Sequence, residues 1–179
     1  TSPYKFYQFW LNASDEDVKN YIRIFTLKTQ EEILALEAEQ ITDPGARPLQ
    51  KALALDITTR VHSEQETAQA IQASQVLFAK DAEFRSLSKE LLLDVMEGVP
   101  TGNLSKTTLD NGLDLVDALV DSGFLQSKGE ARRALQENSI SVNKEKMGAE
   151  SKLTNSNLIH GEFLVLQRGK KNYFLVRCQ

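Results

Sequence analysis

The sequence predicts a mainly α-helical protein with a small α+β module at its C-terminal end. In the first hundred residues, helix-capping residues are each followed by apolar side chains at helical spacing. Near the end of the chain, two β-rich runs flank a Gly-Lys-Lys turn between positions 163 and 177. We therefore expect a helical bundle domain at 1–98, a linker at 99–111, and a domain of two helices and an antiparallel sheet at 112–179.

The charge changes sign along the chain. Residues 1–111 hold 11 Lys and Arg against 17 Asp and Glu, whereas residues 124–179 hold 10 against 5. Such an asymmetry indicates two units with different partners, and the basic unit is the expected contact for a polyanion.

Composition excludes several classes of protein. A hydrophobic content of 41% suits a globular chain, and no apolar run approaches the roughly 18 residues of a membrane span. The single cysteine, Cys178, cannot form an internal disulfide, and with only His62 and His160 beside it a metal ligand set is lacking. We expect a reduced, cytoplasmic compartment. The chain starts at Thr1 without Met or a signal pattern, so we also expect a fragment.

Capping residues and apolar spacing predict the helices of the first part. Pro3 follows Ser2 and suits the first helical position, where a missing N–H costs nothing. The segment 41–48, which contains Pro-Gly and a second Pro, is predicted as a loop. Further caps are Ser14, Thr29 with Glu32, and Ser63 with Glu66, the last two at capping-box spacing. Helical apolar series follow at Leu49, Leu53, Ile57 and Val61, at Ala70, Ile71, Ser74, Leu77 and Phe78, and at Leu91, Leu92 and Val95.

The first helix concentrates aromatic side chains. Exposed rings could form a base-stacking platform. Rings at helical spacing are more often core, and we interpret these as core. They are Tyr4, Phe6, Tyr7, Phe9 and Trp10.

The second part combines short helices and strands. Pro, Gly, Asn and Ser/Thr dominate 99–111, which is typical of a linker. An amphipathic helix should follow and end at Gly123. Ser127 with Glu130 has capping-box spacing, so a basic helix is expected at 127–138, followed by a strand at 140–143 and the closing hairpin.

Basic side chains recur in this second part. A charge run on a helix often only solvates its surface. Here the second group of cations in the hairpin turn favours a nucleic-acid phosphate backbone over a small metabolite. The predicted contacts are Lys128, Arg132 and Arg133 on the helix and Arg168, Lys170 and Lys171 at the turn.

Five further residues are candidates for RNA contact, and structural alternatives remain open. Ser127 could hold a phosphate at its helix N-terminus or act only as the cap. Asn143, with Lys144 beside it, could contact RNA or serve as a turn residue that tolerates positive φ. Arg47, with Lys51 beyond it, could reach an RNA stem or lie at a solvated loop end.

Three sequence blocks resemble bacterial tyrosyl-tRNA synthetases. S-P-Y-K-F-Y-Q-F-W-L-N at 2–12 is similar to the segment that enters their helical anticodon-binding domain. L-A-L-D-I-T-T-R-V-H-S-E at 53–64, with A-x-x-x-S-x-x-L-F at 70–78, is similar to their next landmark. The region from 112 onward resembles the small RNA-binding fold first described in a small-subunit ribosomal protein. The resemblance covers essentially the whole chain.

This resemblance implies the C-terminal portion of a class I synthetase. The two nucleotide-binding motifs of that class, one of His-Ile-Gly-His type and one of Lys-Met-Ser-Lys-Ser type, do not occur in this chain. The segments S-L-S-K-E at 86–90 and L-S-K-T-T at 104–108 resemble the second motif only by chance. The resemblance implies no catalytic residue, metal or cofactor in this chain, and ATP with magnesium in the missing half. Its implied partners are tyrosine tRNA and the catalytic half of the same chain. The full-length enzyme would form a homodimer through that half, and the fragment would be monomeric.

Two other interpretations remain open at this point. A free-standing RNA-binding protein would act on ribosomal or other structured RNA and would not need residues 1–98 for affinity. A protein-interaction scaffold built on the helical half would bind a protein without RNA.

Overall fold

The computed structural model describes residues 1–76 and 84–179, which form parts of two compact units, Thr1–Leu77 and Phe78–Gln179. Unit 1 is helical throughout its described part. Its helices are α1 (Pro3–Leu11), α2 (Asp15–Phe25), α3 (Gln30–Thr42), α4 (Pro48–Val61) and α5 (Glu64–Val76), with a 3-10 turn at Pro44–Ala46.

The predicted helix starts are confirmed in unit 1. Ser2 and Ser14 accept backbone N–H groups at the starts of α1 and α2, and Thr29 with Glu32 forms a complete capping box at α3. The predicted loop at 41–48 is shorter than expected, because α3 continues to Thr42 and Pro48 already begins α4. Leu77 and Phe78, predicted to continue α5, lie outside the described residues.

Helix α4 forms the centre of unit 1. Its Leu49 and Leu53 are fully buried, and Val18 and Ile22 of α2 share the same core. Burying each such side chain stabilises the fold by about 1.5–3 kcal/mol. Among the aromatics of α1, Tyr7 is buried, Tyr4, Phe6 and Trp10 are half-buried, and Phe9 is 68% exposed. The core interpretation is therefore wrong for Phe9.

Within its described part, unit 2 contains two 3-10 turns, at Phe84–Ser86 and Asn155–Asn157, together with four helices and seven strands. The helices are α6 (Lys89–Val95), α7 (Lys106–Leu109), α8 (Leu115–Asp121) and α9 (Lys128–Gln136). The strands are β1 (Thr101–Leu104), β2 (Leu113–Asp114), β3 (Ile140–Val142), β4 (Glu145–Lys146), β5 (Lys152–Leu153), β6 (Phe163–Arg168) and β7 (Asn172–Cys178).

The main sheet of unit 2 has the strand order β1-β7-β6-β3-β4, and β2 pairs with β5 in a separate two-stranded sheet. The predicted basic helix, the strand after it and the closing hairpin are all confirmed as α9, β3 and β6–β7. Apolar residues of α8 and α9 pack with those of the sheet in one core that includes Leu119, Ala131 and Val176.

The segment 99–111, expected as a linker, is instead part of unit 2. Residues 101–104 form β1, which pairs with β7 in parallel, so the main sheet is mixed rather than antiparallel. The backbone N–H groups of Leu175 and Gln179 donate to the carbonyls of Pro100 and Leu104. This segment is a strand because it pairs with β7, about 75 residues away along the chain, and local composition does not predict such a pairing.

Residues 84–98, expected to end the helical domain, also fall within unit 2. Arg85 donates to the carbonyls of Ser156 and Leu158, and Lys89 of α6 pairs with Glu162. His160 Nε2 lies 2.7 Å from the carbonyl oxygen of Leu87. These contacts join the segment to the loop before β6. Within the described ranges, no helix is long and apolar enough to cross a membrane.

Candidate nucleic-acid interface

Helix α9 presents three basic residues of the candidate site, Lys128, Arg132 and Arg133. Ser127 caps it, because the Glu130 N–H donates to Ser127 Oγ at 3.2 Å. The Glu130 carboxylate in turn accepts the N–H of Gln126 at 3.0 Å, one residue before the position that a capping box uses. The side chains of Ala131, Ala134 and Leu135 are buried and anchor the inner face of the helix.

The outer face of α9 carries two exposed cations. Arg132 and Arg133 are exposed, and neither forms an ion pair with another residue in the described parts of the chain. An exposed guanidinium that is not already neutralised can bind a phosphate without giving up an internal partner.

The β6–β7 turn carries the second set of cations. Gly169 adopts φ 66°, which closes the turn, and Gln167 Nε2 donates to the carbonyls of Gly169 and Lys170 at 2.9 and 3.3 Å. Lys170 and Lys171 are exposed, and no ion pair forms between them and the described residues. The turn is therefore ordered internally while its two ammonium groups stay available.

Arg168 connects this turn to α9. Its Nη1 donates to Glu130 Oε1 at 2.6 Å. The pKa of the Glu130 carboxyl is lowered, first by the hydrogen bond from the Gln126 backbone and then by Arg168. Between the two elements lies an open polar concavity of about 310 Å³, lined by Ser127, Glu130, Arg133, Glu137 and Arg168.

Lys128 has a carboxylate partner within the fold. Its Nζ lies 2.8 Å from Asp117 Oδ1 on α8, and the hydrogen bond that it donates to Asp117 raises the pKa of Lys128. A phosphate at this position would have to replace or share the Asp117 contact. Lys128 is therefore a weaker candidate than Arg132 and Arg133.

Asn143 makes hydrogen bonds inside unit 2. It adopts φ 49°, its Nδ2 donates to the carbonyl of Asn157 at 2.7 Å, and its Oδ1 accepts the Val165 N–H at 2.9 Å. Both polar groups of its amide thus hold β3 to neighbouring segments. Lys144, also at positive φ, contacts the hydroxyl of Tyr173 and places its Nζ 4.7 Å from the centre of that ring.

Arg47 belongs to unit 1, whereas the other candidates belong to unit 2. It adopts φ 52° just before α4, and its Nη2 donates to the carbonyl of Ala13 at 2.8 Å. The guanidinium thus holds the start of α4 to the segment between α1 and α2. Its predicted RNA contact stays a prediction.

Three carboxylates lie beside these cations and were not predicted as part of the site: Asp117, Glu130 and Glu137. The sequence predicts Glu130 only as part of a cap and indicates no role for Asp117 or Glu137. The helical spacing of Glu130 and Glu137 on α9 was the available signal for their shared location. The ion pair across to Arg168 depends on the strand register and had no local signal.

Histidine and cysteine form no centre in the described ranges. The centre of the His62 ring lies 5.3 Å from the centre of the Phe6 ring, and Cys178 is buried. In the parts that the structure describes, no three His, Cys, Asp or Glu side chains cluster closely enough to hold a metal ion.

Two family models match most of the chain. Residues 1–79 match the model described as class I tRNA synthetases (W and Y), and residues 92–176 match that of the tyrosine–tRNA ligase SYY-like C-terminal domain. The solution structure of a tyrosyl-tRNA synthetase C-terminal domain covers 56% of this chain at 28% identity, with a TM-score of 0.43.

Curated relatives match over nearly the full chain. The tyrosine–tRNA ligase of Flavobacterium johnsoniae is 51% identical over 99% of this chain and 42% of its own length. Those of Cytophaga hutchinsonii and Bacteroides thetaiotaomicron are each 48% identical over 99% and 98% of this chain. The chain spans less than half the length of these relatives. From the two models and these identities, the chain belongs to the tyrosine–tRNA ligase family.

Proposed function

We propose that this chain is the tRNA-binding portion of a tyrosine–tRNA ligase. The complete enzyme would activate tyrosine with ATP and magnesium and transfer the tyrosyl group to tyrosine tRNA. Those substrates, the homodimer contact and the reacting groups would belong to a catalytic half outside this chain. The compartment would be the cytoplasm, where the tRNA is charged.

One observation carries the proposal. On α9 and the β6–β7 turn, unit 2 exposes four cations that form no ion pair with described residues: Arg132 and Arg133 on the helix, and Lys170 and Lys171 on the turn. The Arg168–Glu130 ion pair holds these two elements together. Two cationic elements fixed beside one another suit consecutive phosphates of an RNA backbone, because each neutralised phosphate releases counterions.

The two units would have separate roles. Unit 2 would bind the long variable arm through its cations, with Ser127 at the start of α9 as a further phosphate contact. Unit 1 would contact the anticodon stem, with Arg47 as its candidate. Phosphate contacts of this kind fix the register of the tRNA and contribute to catalysis by positioning its acceptor end.

The test compares two RNAs and two chain lengths. The whole chain should bind tyrosine tRNA more tightly than a tRNA that lacks the long variable arm. A chain of residues 84–179 should lose affinity for tyrosine tRNA, because unit 1 is then missing. Equal affinity for both RNAs, with no loss on removing unit 1, would favour the free-standing RNA-binding protein and contradict the proposal.

A further inference from the structure

We propose that Glu130 is a positioning residue of the RNA-binding surface. It would hold the β6–β7 turn against α9, so that Lys170 and Lys171 present their charges in a fixed arrangement with Arg132 and Arg133. This inference rests on the proposed function and adds a specific role for an acidic residue within a basic surface.

Glu130 uses both carboxylate oxygens at once. Oε2 accepts the Gln126 N–H at 3.0 Å, and Oε1 accepts the Arg168 guanidinium at 2.6 Å. The first bond fixes the carboxylate relative to the start of α9. The second bond holds Arg168, the last residue of β6, against that carboxylate. Because the side chains of Glu130 and Arg168 are only 28% and 36% exposed, solvent competes less strongly for this pair than for a fully exposed one.

A second connection joins the turn to the other end of α9. The Gly169 N–H donates to the carbonyl of Ser139 at 2.8 Å, and the Ser139 hydroxyl donates to the carbonyl of Ala134 at 2.7 Å. The turn is thus attached near both ends of the helix. Without the Glu130 attachment, the turn would be held to α9 only near the C-terminal end of the helix, through Ser139 and the pairing of Ile140 with Arg168.

Because Glu130 is negatively charged, the direction of the change in RNA affinity on its substitution tests the proposal. A carboxylate beside RNA phosphates repels them, so its removal should by itself strengthen binding. A positioning role predicts the opposite, because the lysines lose their fixed arrangement and ordering them on binding costs entropy. The two effects of one substitution therefore differ in direction.

Glu137 is a matched control on the same helix. It lines the same concavity, it is exposed, and it forms no ion pair with any residue in the described ranges. Glu137→Gln removes the same charge at a similar place without breaking an attachment. Glu130→Gln keeps the size of the side chain and an oxygen that can accept the Gln126 N–H.

The experiment measures tyrosine tRNA affinity against salt concentration for four variants of the full chain. They are Glu130→Gln, Glu137→Gln, the Lys170→Ala, Lys171→Ala double variant, and that double variant combined with Glu130→Gln. Thermal unfolding of each variant checks that it remains folded.

The expected result has three parts. Glu137→Gln should bind as tightly as the wild type or more tightly. Glu130→Gln should bind more weakly and reduce the slope of log affinity against log salt by up to about 2, since each lost phosphate contact lowers it by roughly 1. In the variant that lacks both lysines, Glu130→Gln should no longer weaken binding, because it acts through them.

Two results would overturn the inference while leaving the proposed function intact. Glu130→Gln could strengthen binding as Glu137→Gln does, which would make Glu130 only a repulsive charge. It could also weaken binding equally with and without the lysines, which would make its role a general structural one. If the lysine double variant itself changed neither affinity nor slope, both the inference and the assigned RNA surface would fail.

Discussion

The backbone of Gly102 in β1 passes directly against the carbonyl oxygen of Ser122 at the end of α8. A Cβ atom placed at position 102 would lie 1.9 Å from that oxygen and 2.8 Å from the Phe174 ring. Strand β1 therefore packs against the helix as closely as a residue without a side chain permits. This contact explains a glycine within a strand, where glycine otherwise weakens the structure.

We predict that Gly102→Ala destabilises unit 2. The methyl group has no space unless β1 moves away from α8, and overpacking of this kind costs about 1–3 kcal/mol. Denaturant unfolding measures the difference. Gly148→Ala is the matched control, because no atom lies within 4 Å of a Cβ there, and it should change stability little. Equal stability of the two variants would show that β1 does not occupy this position.

We predict that residues 84–111 are required for unit 2 to fold. A chain of residues 84–179 retains β1 and the contacts of Arg85 and Lys89, whereas a chain of 112–179 leaves the β7 edge unpaired. The longer chain should unfold cooperatively, and the amide protons of the shorter chain should show little protection from hydrogen exchange. Equal protection of β7 in both chains would support the linker that the sequence suggested.

We predict that acid weakens unit 2 through Glu162. Hydrogen bonds from Lys89 and then Arg177 lower the pKa of its carboxyl below the ordinary value of 4.5. A carboxyl whose folded pKa is lowered stabilises the fold above its unfolded pKa, and the contribution is lost as the pH falls through the folded pKa. Stability measured between pH 6 and pH 3 should therefore fall less steeply in Glu162→Gln than in the wild type.

Glu150→Gln is the control for this pH effect. Glu150 is exposed and forms no ion pair within the described ranges, so this variant should follow the wild-type pH dependence. A Glu162→Gln curve parallel to that of the wild type would show that its pairs with Lys89 and Arg177 add nothing to the folded state.

We predict that Cys178 is unreactive in the folded protein. Its side chain is 1% exposed, and burial raises the pKa of the thiol to about 11. Since the thiolate is the reactive form, a thiol reagent at neutral pH should label Cys178 slowly in the native state and rapidly in denaturant. Fast native labelling would mean that β7 opens readily at its end.

Local signals predicted the helices and the hairpin well. Caps at Ser2, Ser14, Thr29 and Ser127 each mark a helix start that the structure contains, because the capping hydrogen bond involves residues three apart. The β1–β7 pairing joins segments about 75 residues apart, and the composition of β1 resembled a linker. Contacts of that kind depend on packing, which the spacing of residues along the chain does not encode.

The candidate site was predicted as a set of cations without their carboxylates. Exposed Arg132 and Arg133 could be read from helical spacing, since their neighbours Ala131 and Ala134 face the core. The pairs Lys128–Asp117 and Arg168–Glu130 connect different elements and required the structure. Within the described ranges, these pairs distinguish Lys128 and Arg168, which have a carboxylate partner, from Arg132 and Arg133, which form no ion pair.

The most direct test of the account is the salt dependence of tRNA binding by the Arg132→Ala, Arg133→Ala double variant. Its affinity for tyrosine tRNA should fall, and the slope of log affinity against log salt should decrease by about 2. Folding should be almost unchanged, because exposed charge substitutions usually alter stability by about 0.5 kcal/mol or less. Lys152→Ala, which removes an exposed cation on β5, is the control and should keep the wild-type slope. Equal slopes for the double variant and the wild type would contradict a phosphate-binding role for α9.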